Sequence, residues 1–346
     1  MVEAWHSFLG NVKLRRFTVL ALLIAILFLI KSMLSMLLLT FVFTYLVVNF
    51  VRFVHKHTKI PSSILVIVTY IVIIWGLYIG IVNYLPQLVN QIIKMTDSLV
   101  QFYNHQNTTD FYKFVNKYVS VSSINEQVKK GVTLIFSYAT SIGSMAFTFF
   151  LSFVLSFFYA VELKQLHRFS QNFKTGDFAW FFGDIEYFGR KFVNTFGVVI
   201  GAQFSIAIAN TIITTICLIF MQMPQILTLS LMIFIFSLIP VAGVIVSSIP
   251  LSIIAYSEGG FKQVAYIIIM IVVVHAIETY VLNPQFMASR TELPVFYTFV
   301  VLMVGEHFFG VWGLIVGVPI FVFFLDLLDV KHIGKNKKAV ETAKPD

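Results

Sequence analysis

Charge is scarce in this sequence. Asp, Glu, Lys and Arg make up 12% of its 346 residues, against about 25% in a typical soluble domain. Apolar residues make up 58% and aromatic ones 16%, with 38 Phe among them. That much apolar surface does not fit into one water-soluble core, so a soluble enzyme and a disordered chain are excluded. Cysteine is nearly absent: Cys217 stands alone inside an apolar run, so no disulfide framework exists. A transmembrane barrel needs alternation at every second residue, and the apolar runs do not alternate. Also missing are a Walker A loop, which removes direct ATP drive, a GxSxG elbow and an HExxH zinc motif. His275-Ala-Ile-Glu278 has the wrong order and spacing for the last. The chain is not expected to be an enzyme, and no cofactor or metal site is expected.

What is present is a set of long charge-free runs. Residues 60–93, 131–161 and 192–257 contain no Asp, Glu, Lys or Arg. A helix crosses the hydrocarbon core with about 20 apolar residues. The expected apolar segments are 17–30, 32–51, 61–85, 131–161, 193–220, 225–239, 243–257, 261–283, 294–309 and 310–329. The fold class is therefore an all-α polytopic membrane protein. No cleavable signal peptide is expected, because the first run has no small-residue cleavage site and a second span follows at once.

The basic residues give an orientation. With the N-terminus inside, cytoplasmic connections carry 17 Lys and Arg, and external ones carry 7. The rule that positive charge stays inside then places both termini in the cytoplasm. The net charge of +8 is thereby a topology signal. No basic stripe with interleaved aromatics sits on a soluble domain, so no nucleic-acid partner is expected.

Six divisions follow: N-terminal transmembrane helices over 1–85, an extracytoplasmic helical segment over 86–130, a long transmembrane helix over 131–161, a cytoplasmic segment over 162–191, a core over 192–330, and a basic cytoplasmic tail over 331–346. Leu88, Ile92, Leu99 and Phe102 recur at near-helical spacing in the external segment. Ser123 with Glu126 forms a capping box, so a helix begins there and continues into 131–161. The cytoplasmic segment sets Phe169, Phe173, Trp180, Phe181 and Phe188 among charges. That pattern suits an interfacial helix pair on the inner leaflet; the plainer alternative is a connecting loop.

Two pairs of segments are short. Segments 225–239 and 243–257 are about 15 residues each, or about 22 Å of helix, against a core of about 30 Å. Ile239-Pro240-Val-Ala-Gly243 separates them, and Pro250 follows. Segments 294–309 and 310–329 repeat the design, with Gly305, Gly310 and Gly313 in the run and Pro319 after it. Proline removes a backbone donor and glycine permits sharp turns. Irregular backbone at membrane depth is tolerated where protein or water satisfies it. The expectation is about six full transmembrane helices plus two opposed re-entrant helical hairpins, 225–257 and 294–329, of the kind transporters place around a substrate site. Ten kinked full spans are the alternative; either reading keeps the termini inside, and the segment count runs from eight to ten.

The run Ser237-Leu-Ile-Pro240-Val-Ala-Gly243 with Pro250, then Glu278-Thr-Tyr-Val-Leu-Asn283-Pro284, then Gly310-Val-Trp-Gly313 with Pro319, resembles the AI-2E transporter family, that of the autoinducer-2 exporter and PerM-like permeases. The likeness covers nearly the whole chain, and its C-terminal motifs are the specific part. The resemblance implies a multi-pass protein of the bacterial inner membrane that exports a small organic solute such as a signal or metabolite. Some members are described as sodium/proton antiporters, and related proteins form homo-oligomers, pentamers among them. The expected partners are thus a small-molecule or ion substrate, the lipid bilayer and further copies of the chain. At Gly305-Glu306-His307-Phe308 the chain departs from the family by carrying charge.

Polar residues inside the apolar runs are the candidate transport and coupling residues. A charged side chain at mid-membrane costs about 2.5–3.5 kcal/mol on insertion scales. Glu278 lies in 261–283, with His275 three residues earlier on the same face. Either Glu278 snorkels to the interface, or it is a buried carboxylate that takes a proton or a cation. Asn283-Pro284 is expected to end that helix. Glu306 and His307 fall near the second hairpin's tip, where they line a cavity or sit at the outer surface. Arg290 is the one cation of its connection. Gln203, Asn210, Thr214 and Cys217 share a face of 193–220, and burying Asn210 unpaired is the costliest of these. Ser137, Ser141, Ser144, Thr148 and Ser152 form a stripe on 131–161 that reads as helix packing. Gly76xxxGly80, Gly197xxxGly201 and Gly313xxxGly317 are close-packing candidates. A membrane scaffold without transport activity is the competing class, and it needs none of these residues buried together.

Overall fold

The computed structural model describes residues 8–84, 86–87, 121–240, 242–287, 293–328 and 330, with the backbone alone over most of 121–144. Among the described residues the structure is helical, with no strand. The helices are α1 (Val12–Leu29), α2 (Leu34–His57), α3 (Ser62–Ile79), α4 (Val121–Asn172), α5 (Ala179–Phe220), α6 (Ile226–Ser237), α7 (Ala242–Ile277), α8 (Asn283–Met287), α9 (Val295–Phe309) and α10 (Gly313–Leu327). Six stretches are long and apolar enough to cross a membrane: Lys31–His57, Ser62–Asn83, Met145–Asn172, Ala179–Phe220, Glu258–Leu282 and Val295–Leu327. The chain is an all-α polytopic membrane protein.

The expected continuity of the 131–161 span with the helix before it is observed. That helix starts at Val121, and the side chains of Ser123 and Glu126 lie outside the described residues, as do the segment 88–120, Arg290 and the tail. With no Pro or Gly between 144 and 172, nothing stops α4 at the end of its apolar run, and it continues to Asn172. Residues 162–191 contain two helices, each continuous with a flanking apolar stretch. These are the end of α4 and the start of α5, with a turn over 173–178.

The chain divides into two compact units, Met1–Val72 with Phe150–Ser205 and Asn283–Asp346, and Ile73–Phe149 with Ile206–Leu282. In the first unit, Val42 of α2, Phe196 and Ile200 of α5 and Val316 of α10 form one core, with Phe41 and Phe192 packed on it. Gly197 and Gly201 of α5 receive the Tyr45 ring, and a Cβ at Gly197 would collide with it. Gly76 and Gly80, by contrast, meet nothing within 4 Å. Hydroxyls join the helices: Ser152 Oγ donates to Met36 O at 3.0 Å, and Ser156 Oγ lies 2.5 Å from Tyr70 Oη and 3.0 Å from Thr44 Oγ1. The serine stripe thus works as packing at Ser152, one of its members with a described side chain.

Helices α9 and α10, of 15 residues each, form an antiparallel hairpin. A Cβ at Gly305 would stand 2.6 Å from Gly313 O and 3.3 Å from Gly317 Cα, and one at Gly317 would stand 3.2 Å from Val301 O. Only glycine lets the two backbones approach this closely. The reversal is made by Gly310, at φ 60°, and one 3₁₀ turn, Gly310–Trp312. Each arm is about 22 Å long, short of a core of about 30 Å, so Val295–Leu327 reaches spanning length only when both arms are counted together.

The second unit holds the other hairpin. Helix α6 turns at residues 238–240 ahead of α7, and Gly243 packs against the Phe236 carbonyl, where a Cβ would overlap it. Leu229 and Ile233 of α6 meet Leu251 and Ala255 of α7, with Leu218 of α5 and Ile267 completing the cluster. Two expected break points are corrected. Pro250 and Pro319 lie inside helices; each forfeits one backbone hydrogen bond without stopping its helix, as membrane helices tolerate. The second break in α7 is instead at Gly259-Gly260, where Gly260 has φ 62°, in the gap left between segments 243–257 and 261–283.

Candidate functional site

Three helix positions of the second unit bring polar side chains together inside apolar surroundings. Asn210 sits in α5 within a stretch free of charge, and it is buried, as is Ser237, the last residue of α6. Glu278, 8% exposed, opens a wide π turn, Glu278–Leu282, that follows α7. Asn210 Nδ2 donates to Ser237 Oγ at 3.1 Å and to Glu278 Oε2 at 3.3 Å. Asn210 Oδ1 is buried and has no hydrogen-bond partner. Among the described residues no Lys, Arg or His pairs with Glu278. An isolated buried carboxylate is costly, and a single hydrogen bond from the Asn210 amide does not neutralise it. The oxygens of Glu278, Asn210 and Ser237 make a set that can hold a proton, a hard cation or the donor groups of a polar solute. Wide π turns of this kind are frequent at functional positions.

The sequence candidates separate clearly. Glu278 and Asn210 come together, and the snorkelling alternative for Glu278 does not hold. His275 is exposed and does not join them. Asn283-Pro284 does not end the helix, which is a correction: α8 carries on to Met287. Pro284 falls in that helix's first turn, where its missing N–H costs least. Gln203 is buried in α5, in the first unit. Glu306 and His307 are exposed at the end of α9, since Gly305 takes the inward face. Pro240 and Gly243 build the first reversal, and Gly310 and Gly313 the second.

Two polar clusters of the first unit escaped the sequence. Asp184, 3% exposed at its side chain, receives Arg15 through Nε at 2.5 Å and Nη2 at 3.1 Å, while Arg16 Nε approaches to 3.5 Å. Arg16 also lies over the Tyr187 ring at 3.7 Å. The available signal was spacing, since Asp184 and the buried Phe188 are four residues apart on one face. The other is Asp326, which accepts from Thr195 Oγ1 at 2.7 Å while its backbone carbonyl accepts from Lys191 Nζ at 2.7 Å. Neither sequence neighbourhood announces that contact.

Comparison with known proteins agrees with this architecture. The family described as "AI-2E family transporter" matches residues 17–332. The chain is 40% identical over 341 residues to "Putative transport protein YdbI" of Bacillus subtilis (strain 168), covering 97% of each. It is 21% identical over 324 residues to "Putative transport protein" of Thermotoga maritima, covering 90% of this chain and 96% of that one. With that family match over residues 17–332 and 40% identity over nearly the full length of the Bacillus subtilis relative, the chain belongs to the AI-2E transporter family.

Proposed function

We propose that the protein is a secondary transporter that exports a small organic solute, with the Glu278–Asn210–Ser237 cluster as its coupling site. The carrying observation is the buried Glu278 carboxylate, held by one amide and paired with no cation among the described residues. Ionisable residues inside membrane helices mark substrate and proton pathways by default. The buried Glu278 carboxylate supports coupling by an ion, and the lack of a Walker A loop speaks against direct ATP drive. The distribution of Lys and Arg supports an inner-membrane protein with both termini in the cytoplasm. The short arms of the two hairpins support re-entry from opposite faces, and the family resemblance supports a homo-oligomer.

A second reading, cation/proton antiport, is favoured by Asn210 Oδ1, an unpartnered acceptor beside a carboxylate. Flux in proteoliposomes tests both. Glu278→Gln keeps the shape and most hydrogen bonding of the side chain and removes its titration, so proton-coupled flux should vanish while folding persists. Normal flux with a normal pH profile in that variant would end the coupling role. Sodium-driven proton movement in wild type without organic solute would select antiport. No flux under any imposed gradient would select a scaffold.

A further inference from the structure

The end of α4 carries a cationic groove that the coupling site does not use. Leu163, Lys164, His167 and Arg168 line a depression of about 440 Å³. At 3.6 residues per turn, Lys164, His167 and Arg168 fall within roughly 100° of the helix circumference, and Glu162 falls on the opposite face. Five other cations of the first unit are engaged. Lys174 and Arg190 pair with Glu186, Arg15 and Arg16 with Asp184, and Lys191 with Asp326. Lys164 and Arg168, both exposed, have no acidic partner among the described residues.

Depth selects the ligand. The charge-free run ends at Val161. Lys164 follows it by about 4.5 Å along the helix, inside a headgroup layer about 5–7 Å thick on each side; Arg168 follows by about 10.5 Å, and its long side chain leans back toward the helix N-terminus and that layer. A guanidinium fork and an ammonium on one face match the oxygens of a phosphate. We propose that Lys164, His167 and Arg168 seat the phosphate of an anionic phospholipid headgroup.

The full-length protein in phosphatidylcholine nanodiscs containing some phosphatidylglycerol tests this, with retained lipid counted by native mass spectrometry. Wild type should retain phosphatidylglycerol over phosphatidylcholine. The double variant Lys164→Gln/Arg168→Gln should bind it about thirty-fold more weakly, and Lys164→Gln alone about five-fold. The single variant keeps the test open if the double one does not fold. A control with equal charge loss elsewhere, Lys56→Gln/Lys59→Gln, should retain the lipid. No preference in wild type, or equal loss in the control, would overturn the proposal. Displacement of phosphatidylglycerol by millimolar inorganic phosphate would do so as well, because the groove would then belong to the free anion.

Discussion

Replacing Gly305 by Ala tests the α9–α10 seam against helix propensity. The added methyl would stand 2.6 Å from Gly313 O, 3.2 Å from the Gly313 carbonyl carbon and 3.3 Å from Gly317 Cα. Carbon contacts sit comfortably at about 3.5–4.0 Å. All three atoms are backbone, so no side chain can rotate away and the arms must separate. A gap of about 0.5–1 Å forfeits a quarter to a half of each dispersion contact along the seam, and overpacking of this kind costs about 1–3 kcal/mol. Opposing it is the gain of about 1 kcal/mol for Ala over Gly inside a helix. Gly76→Ala supplies the comparison, because a Cβ there meets nothing within 4 Å and only the propensity gain remains. The difference between the variants should therefore be about 1–3 kcal/mol, with Gly305→Ala the less stable. Gly317→Ala should fall between them, its nearest contact being Val301 O at 3.2 Å. Thermal melts in one detergent, read by fluorescence-detected size exclusion, rank the three. A Gly305→Ala protein that melts at or above Gly76→Ala would refute the close seam.

Asn210→Ala deprives Glu278 and Ser237 of a shared donor, which should cost about 1–3 kcal/mol and lower flux; a variant with wild-type melting and transport would remove Asn210 from the site. Asp184→Asn should destabilise by about 2–4 kcal/mol, since Arg15 and Arg16 lose their common partner, and Arg15→Gln should cost less because Arg16 remains; equal melting of both with wild type would show the cluster to be inert. Tyr70→Phe removes the 2.5 Å contact with Ser156 and should cost about 1 kcal/mol in the same melts. In a Cys217→Ser background, single cysteines at Ala242 and Val311, beside the two reversals, should label slowly with an impermeant thiol reagent from either side; fast labelling at 311 from outside with fast labelling at 242 from inside alone would replace the re-entrant hairpins by kinked full spans.

Helix positions were legible because charge-free length is a strong signal, and the two reversals were legible because Pro240 and Gly310 interrupt apolar runs. The observed arms start and stop within a few residues of the expected ones. Helix ends were less so. Nothing in the sequence after Val161 stops α4, because Glu, Leu, Lys and Gln are good helix formers, and the first charges looked like a boundary when they mark only the end of the apolar face. Asn283-Pro284 misled for the opposite reason. A proline read as a stop is harmless once a π turn places it in a new first turn.

The site itself was half legible, and the limit is physical. Helical periodicity names an inner face only when the outer face is polar. These helices are apolar all round, because lipid replaces water outside. Glu278 and Glu306 illustrate it: each follows a long apolar stretch. Glu278 is buried and Glu306 is exposed, and no local pattern separates them. What orients Glu306 outward is its neighbour Gly305, which the seam requires against Gly313. What orients Glu278 inward is Asn210, whose amide meets it across 68 positions of chain. Small residues and lone amides therefore carry the facial information in such a chain, and a carboxylate acquires its role from whichever of them lies opposite.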